Sequence, residues 1–310
     1  MLARVGVVAF NTYREAVRAR ILHGLFAAAL GTGAYSLVVG AFTLRNNMRV
    51  VADLGAFFIS LFGVIVAVVL TASSLYRELE LKTLFPILAR PIRRTEYLVG
   101  KFFGTVLTLF TFVAANVGAL LIALGQLSGQ HWGWAVGVGL GWSAAVLGLG
   151  FSLPRWRTSL PILWAAVLAA AGWFLAAGAP DDRRVLVGLA ALTLLEVCIV
   201  TGIALVFASF STPFLTAVLT FGVFLIGRSA DTLARLPVKV FGELIHWGGV
   251  AASRVFPNLM IYVPARPLLT GETLGTPLGV YLGYAALHAL AWTVGLLAFA
   301  SWVFRRRDFI

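Results

Sequence analysis

Charged residues are scarce in this chain. They make up 12% of its 310 residues, where a soluble globular domain carries about 25%. That shortage excludes an ordinary soluble fold. Cysteine is nearly absent, with Cys198 the only one, so neither an intrachain disulfide nor a cysteine metal cluster can form. Its position within an apolar run makes Cys198 a packing residue. With only Met1, Met48 and Met260, there is no methionine ladder for soft copper ions. His23, His131, His246 and His288 are scattered, with no pair at metal-ligand spacing on a helix. No residue pattern nominates a catalytic nucleophile with its base. A phosphate-cradling loop is also missing, because Gly100-Lys101 runs into Phe102 and no glycine stands five residues before Gly100. The sequence therefore offers no catalytic, cofactor-binding or metal site.

What is present is apolar length. The chain is 60% hydrophobic, with a mean hydropathy of +0.95. Unbroken runs near the 20 or so residues that a helix needs to cross a bilayer predict an all-α integral membrane protein, and they exclude the short alternating strands of a β-barrel. Eight spans are expected, at about 21–44, 54–76, 98–124, 133–153, 160–178, 185–209, 213–229 and 280–304. The net charge of +12 is read as topology and not as nucleic-acid binding, since basic residues favour the cytoplasmic side. Most bases fall in 1–20, in 77–101, at Arg155 and Arg157, and at Arg305-Arg306-Arg307, whereas 125–132 has none. Both termini are expected inside the cell membrane, with Arg228 counted on the outer side. The whole chain, 1–310, reads as one transmembrane domain in contact with membrane lipid.

Three segments stand apart. Residues 1–20 carry Val5, Val8, Ala9, Tyr13, Ala16 and Val17 at helical spacing, with Arg4, Arg14 and Arg18 elsewhere around the helix, which predicts an amphipathic helix at the cytoplasmic interface. Residues 133–178 form a hairpin whose Gly133, Gly137 and Gly141 have the four-residue spacing of close helix contacts. Residues 230–279, divided by Pro237, Pro257, Pro264, Pro267 and Pro277, are expected to form short interfacial helices on the outer side that cap a pathway.

Two polar residues interrupt the apolar runs. Glu196 sits near the middle of 185–209, and an ionisable group there must face a cavity, the bundle interior or a partner. It fits either a transport function or a lock between two spans. Asn116 is a milder case, read as a bond between helices.

The most distinctive stretch is Arg77–Lys101. A charged island between apolar runs, it is broken by Pro86 and Pro91 into short rigid pieces. Its order, Glu78-x-Glu80-x-Lys82-Thr83-Leu84 followed by Leu88-Ala89-Arg90-Pro91-Ile92-x-Arg94-x-Glu96-Tyr97-Leu98-x-Gly100-Lys101, resembles the first cytoplasmic loop of type-two ABC exporter permeases. Asn11–Arg18, Phe207–Pro213, Phe256–Leu259 and the ending Phe304–Phe309 are similar to other parts of that family, in the same order. Lys82 stands where many members have glycine, which leans towards the branch that includes copper-enzyme maturation permeases. The family core has six spans, so 133–178 is an added hairpin.

The resemblance implies a permease subunit that is not itself an enzyme. A separate ABC ATPase would bind ATP and Mg, and a second permease copy or a paralogue would complete the path. It makes 77–97 the cytoplasmic coupling loop, with Arg77, Glu78, Glu80, Lys82, Thr83, Arg90, Pro91, Arg94, Glu96, Gly100 and Lys101 as ATPase-coupling residues. Two other readings predict different behaviour: an ATP-independent transporter or channel that uses Glu196, and a membrane scaffold or maturation factor.

Overall fold

The computed structural model describes residues 2–43, 46–80, 93–153, 155–271 and 277–306, with the side chains of Leu2 and of 75–80 outside that description. The described residues are helical, with no strand. Two helices open the chain, α1 (Leu2–Arg18) and α2 (Arg20–Ala41), separated by an extended Ala19. The long α3 (Asn47–Glu80) and α4 (Arg94–Leu127) follow. Next come the hairpin α5 (Trp132–Ser152) and α6 (Leu160–Leu175), and then α7 (Pro180–Ala208) and α8 (Pro213–Arg228). The outer segment contains α9 (Ala230–Ala234), α10 (Val238–Val255), a 3₁₀ turn (Leu259–Tyr262) and α11 (Arg266–Thr270). The last helix is α12 (Leu278–Arg306).

Seven of these helices are long and apolar enough to cross a membrane, and they coincide with seven of the eight expected spans. The eighth run, 213–229, forms only the 16-residue α8. At 1.5 Å per residue it rises about 24 Å, short of a hydrocarbon core about 30 Å thick. Pro213 starts it behind a Thr212 side-chain cap, and it ends at Arg228, whose side chain is held by Glu196 of α7. Glu196 lies twelve residues before the end of α7 at Ala208, about 18 Å along the helix. The last residue of α8 is thus tied to the interior of the bundle.

The core is built on α4 and α7. Helix α4 packs most extensively against α6 and α1, while α7 packs against α3 and α12. The α4–α6 contact brings backbones together. A β-carbon on Gly118 would lie 2.7 Å from the Ala169 nitrogen, and one on Gly172 would lie 2.8 Å from the Gly118 oxygen. The expected stripe Gly133, Gly137, Gly141 does not make such contacts. Residues Val136–Gly141 form a π-helical turn with no buried residue, and a β-carbon on Gly137 would meet nothing within 4 Å. Their spacing was right, but the face they share has no helix opposite it. The hairpin is closed instead by Trp164 Nε1, which donates to Ser143 Oγ, and by Trp142 Nε1, which donates to the Trp164 carbonyl.

Helix α1 departs from a purely interfacial role. Val5, Thr12, Tyr13 and Ala16 are buried, whereas Arg4, Arg14 and Arg18 are exposed. The apolar stripe packs against protein: Val8 rests on Gly100, and Ala9 and Thr12 rest on Gly104 of α4. In α10, Gly249 lets the Leu233 carbonyl approach closely, since a β-carbon there would lie 2.7 Å from it. The kink falls at Gly242, whose φ of 79° is a backbone conformation suited to glycine.

Candidate functional site

Two constellations stand out, one at the end of the bundle where α3 and α4 flank the segment 81–92 and one around Glu196 in the interior. With 34 residues each, α3 and α4 would span about 51 Å and extend past the bilayer core. Of the expected coupling residues, Lys82, Thr83, Arg90 and Pro91 lie outside the described residues, as do the side chains of Arg77, Glu78 and Glu80.

The described remainder forms a cross-tied platform. Glu96 accepts from the Arg93 backbone N–H at 3.1 Å, closing a capping box that starts α4. It is 4% exposed and lies 3.9 Å from Arg4 of α1. Arg94 Nη1 donates to the carbonyls of Phe304 and Arg305, at 3.3 and 3.0 Å, so it joins the start of α4 to the end of α12. Lys101, 3% exposed, donates to Ser74 Oγ of α3 at 2.7 Å and lies 3.6 Å from Glu15 of α1. Gly100 is covered by Val8. Glu96, Gly100 and Lys101, expected among the ATPase-coupling residues, lie in the first turns of α4, where they face α1 and α3. They hold the helices that carry the segment and present little surface to a partner.

In the interior, Glu196 of α7 is fully buried and both its carboxylate oxygens are occupied. Arg228 of α8 donates through Nε to Oε1 at 2.7 Å and through Nη2 to Oε2 at 2.8 Å. Arg228 Nη2 also donates to Ser60 Oγ of α3 at 2.9 Å, and Ser60 donates to Oε2 at 3.2 Å. A bidentate pair of this kind is among the stronger hydrogen-bonded contacts in proteins. Arg228 is thus an inward anchor and not an outer-side base. Asn116 differs from expectation in another way: its amide donates to the Phe112 carbonyl of its own helix at 2.8 Å, four residues back, and not to a neighbouring helix.

Beside this triad lies a cavity of about 310 Å³. Its walls include Phe57 and Leu61 of α3, Leu189 of α7, Phe224 of α8 and Val263, with Arg228 on its lining. The outer segment reaches this level through Tyr262, which shares a hydrogen bond with His288 at 2.8 Å. Burial pushes the Tyr262 hydroxyl above the ordinary tyrosine value. Arg266 of α11 bonds both Asp53 of α3 and Asp182 of α7, which ties the segment to those two helices. Replacing Arg266 with alanine leaves two carboxylates without their shared partner and should lower stability by about 1–3 kcal/mol. Proteolysis of the full-length protein should then cut 230–271 sooner; cleavage at the parent rate would contradict the tie. No group of three or more histidine, cysteine, aspartate or glutamate residues suited to a metal ion occurs among the described residues.

Comparison with known proteins places these features in context. A family model described as "ABC-2 family transporter protein" matches residues 3–227, from α1 through α8, and stops one residue before Arg228. No curated protein sequence matches the chain significantly.

Proposed function

Since the chain belongs to the ABC-2 family of transporters, a family of membrane transport components, we propose that it is an exporter permease driven by a separate ABC ATPase that docks on the segment 77–94. The chain itself is a multi-pass membrane protein. In this reading it sits in the cell membrane with both termini in the cytoplasm, α8 and the segment after it together making the eighth crossing, and a second permease copy or a paralogue completes the path. ATP and Mg are bound by the partner.

The observation that carries the reading is the platform under α4. The segment between α3 and α4 is flanked by two long helices joined to each other through Lys101 and Ser74, and α4 is bonded in turn to α1 through Glu96 and Lys101 and to α12 through Arg94. Force applied to that segment reaches four helices at once, and α3 and α4 are among the most deeply packed. A partner that binds one arrangement of the platform more tightly shifts the bundle towards it. The reading of Glu196 as a free ion site is not favoured, because Arg228 and Ser60 already occupy its oxygens.

The test is to tag the full-length protein, purify it from its native membrane in mild detergent and assay MgATP hydrolysis. An ATPase subunit should co-purify, and simultaneous replacement of Glu78, Lys82 and Arg90 by alanine should release it while the permease remains folded. Recovery of the folded permease with no ATPase would contradict the proposal and favour a scaffold without a motor.

A further inference from the structure

The guanidinium of Arg228 has one part that the buried triad does not use. Arginine carries five N–H donors. Nε and both hydrogens of Nη2 are taken by Glu196 and Ser60, and Nη1 has no protein partner among the described residues. The side chain is 23% exposed and lines the cavity. Its guanidinium carbon lies 5.5 Å from the centre of the Phe224 ring, so the charged group rests on an apolar wall. The result is a chamber walled mainly by apolar side chains, with Arg228 as its basic group beside Asp53, Ser60, Thr193 and Tyr262. Ligand sites typically have this composition, and about 310 Å³ falls at the small end of their range.

We infer that this cavity binds an amphipathic molecule whose apolar body lies against Leu61 and Phe224 and whose neutral oxygen-bearing head, a carbonyl or an ester, accepts from Nη1 of Arg228. Charge decides for a neutral head. Glu196 already balances Arg228, so an anionic head would place a second negative charge across the same guanidinium in a medium of low dielectric. Asp53 on the lining is a further carboxylate, paired with Arg266 and Arg49, and it too disfavours an anionic head. A wholly apolar occupant would leave the Nη1 donors unsatisfied away from bulk water, which is unfavourable. The cavity opens beside Phe57 and Leu61, both exposed on the outer face of α3, so a molecule dissolved in the bilayer reaches it sideways. That the occupant is transported cargo rests on the permease reading; its binding does not.

The experiment uses the full-length protein in lipid nanodiscs without ATPase, so failure here leaves the motor proposal standing, and failure of co-purification leaves this one standing. The probe is a diazirine-bearing methyl decanoate, with labelled peptides identified by mass spectrometry. Label is expected on 53–61 and 213–228. Methyl decanoate should compete better than decanoate or decane at matched membrane concentration. Arg228→Lys keeps a cation for Glu196 but removes the Nη1 donors, and should reduce labelling about tenfold. Leu61→Trp narrows the mouth without touching the ion pair and should also reduce it, which decides the matter if Arg228→Lys fails to fold. Labelling unchanged in folded Leu61→Trp, label spread over α12 instead, or competition by decane or decanoate equal to that of the ester would overturn the inference.

Discussion

Replacing Glu196 with alanine should destabilise the protein by about 3–5 kcal/mol, the range found when one partner of a buried ion pair is removed. The carboxylate is fully buried and receives three hydrogen bonds from Arg228, counting Nε and Nη2, and Ser60. Without it, the guanidinium stays inside the bundle with Ser60 as its remaining protein acceptor. Helix α8, too short to cross the bilayer alone, loses the anchor at its end. Glu196→Gln keeps an acceptor but not the charge, so its loss should be smaller. The double change Glu196→Leu with Arg228→Leu should be milder than Glu196→Ala, because replacing a buried pair by apolar groups is often close to neutral. Chemical unfolding of the full-length protein in a fixed detergent gives this order directly. Glu196→Ala as stable as the parent would show that the triad does not hold α3, α7 and α8 together.

The second large effect is expected at Gly118. A leucine there must enter a space where even its first side-chain carbon would lie 2.7 Å from both the Ala169 nitrogen and the Leu168 carbonyl carbon. These are backbone atoms, so no side-chain rotation relieves the contact, and α6 must move away from α4. Overpacking a well-filled core generally costs about 1–3 kcal/mol, and moving a whole helix places Gly118→Leu at or above that range. Hydrogen exchange of the full-length protein should show lost protection in Trp132–Ser152 and Leu160–Leu175, while α3 and α7 keep theirs. Gly137→Leu is the matched control, because a β-carbon there meets open space, and it should change nothing in α4 or α6. Equal effects of the two substitutions would remove the distinction between contact glycines and exposed ones.

The contrast between Gly118 and Gly137 shows where sequence stops being informative. Long apolar runs fix the helices because a bilayer leaves the backbone little alternative, so α2 through α7 and α12 were legible to within a few residues. The apolar stripe of α1 was legible from the spacing of Val5, Tyr13 and Ala16, but it was expected to face the membrane interface, and its packing on Gly100 and Gly104 of α4 was not legible. Glycine spacing was not enough, since Gly133–Gly137–Gly141 and the contact glycines differ only in what lies opposite them. Glu196 declared itself as an acid in an apolar run. Its partner did not: Arg228 is 32 positions away at the edge of another run, where an arginine reads equally well as an outer-side base. A usable signal was the pairing of one acid and one base in two consecutive apolar runs that must turn back on each other through Ser209–Thr212. Within the island at 77–101, the burial of Glu96, Gly100 and Lys101 was not legible, because it depends on α1 returning to lie on α4.

The claim on which the account turns is that a motor engages the protein at the segment between α3 and α4. A photoreactive amino acid placed at Arg90 tests this most directly, with a second placed at Trp132 on the far side of α4 as the reference. Irradiation of native membranes should join an ATP-binding subunit to the protein through position 90 and not through position 132. A crosslink to that subunit through position 132, or none through position 90 while the ATPase still co-purifies, would contradict the account.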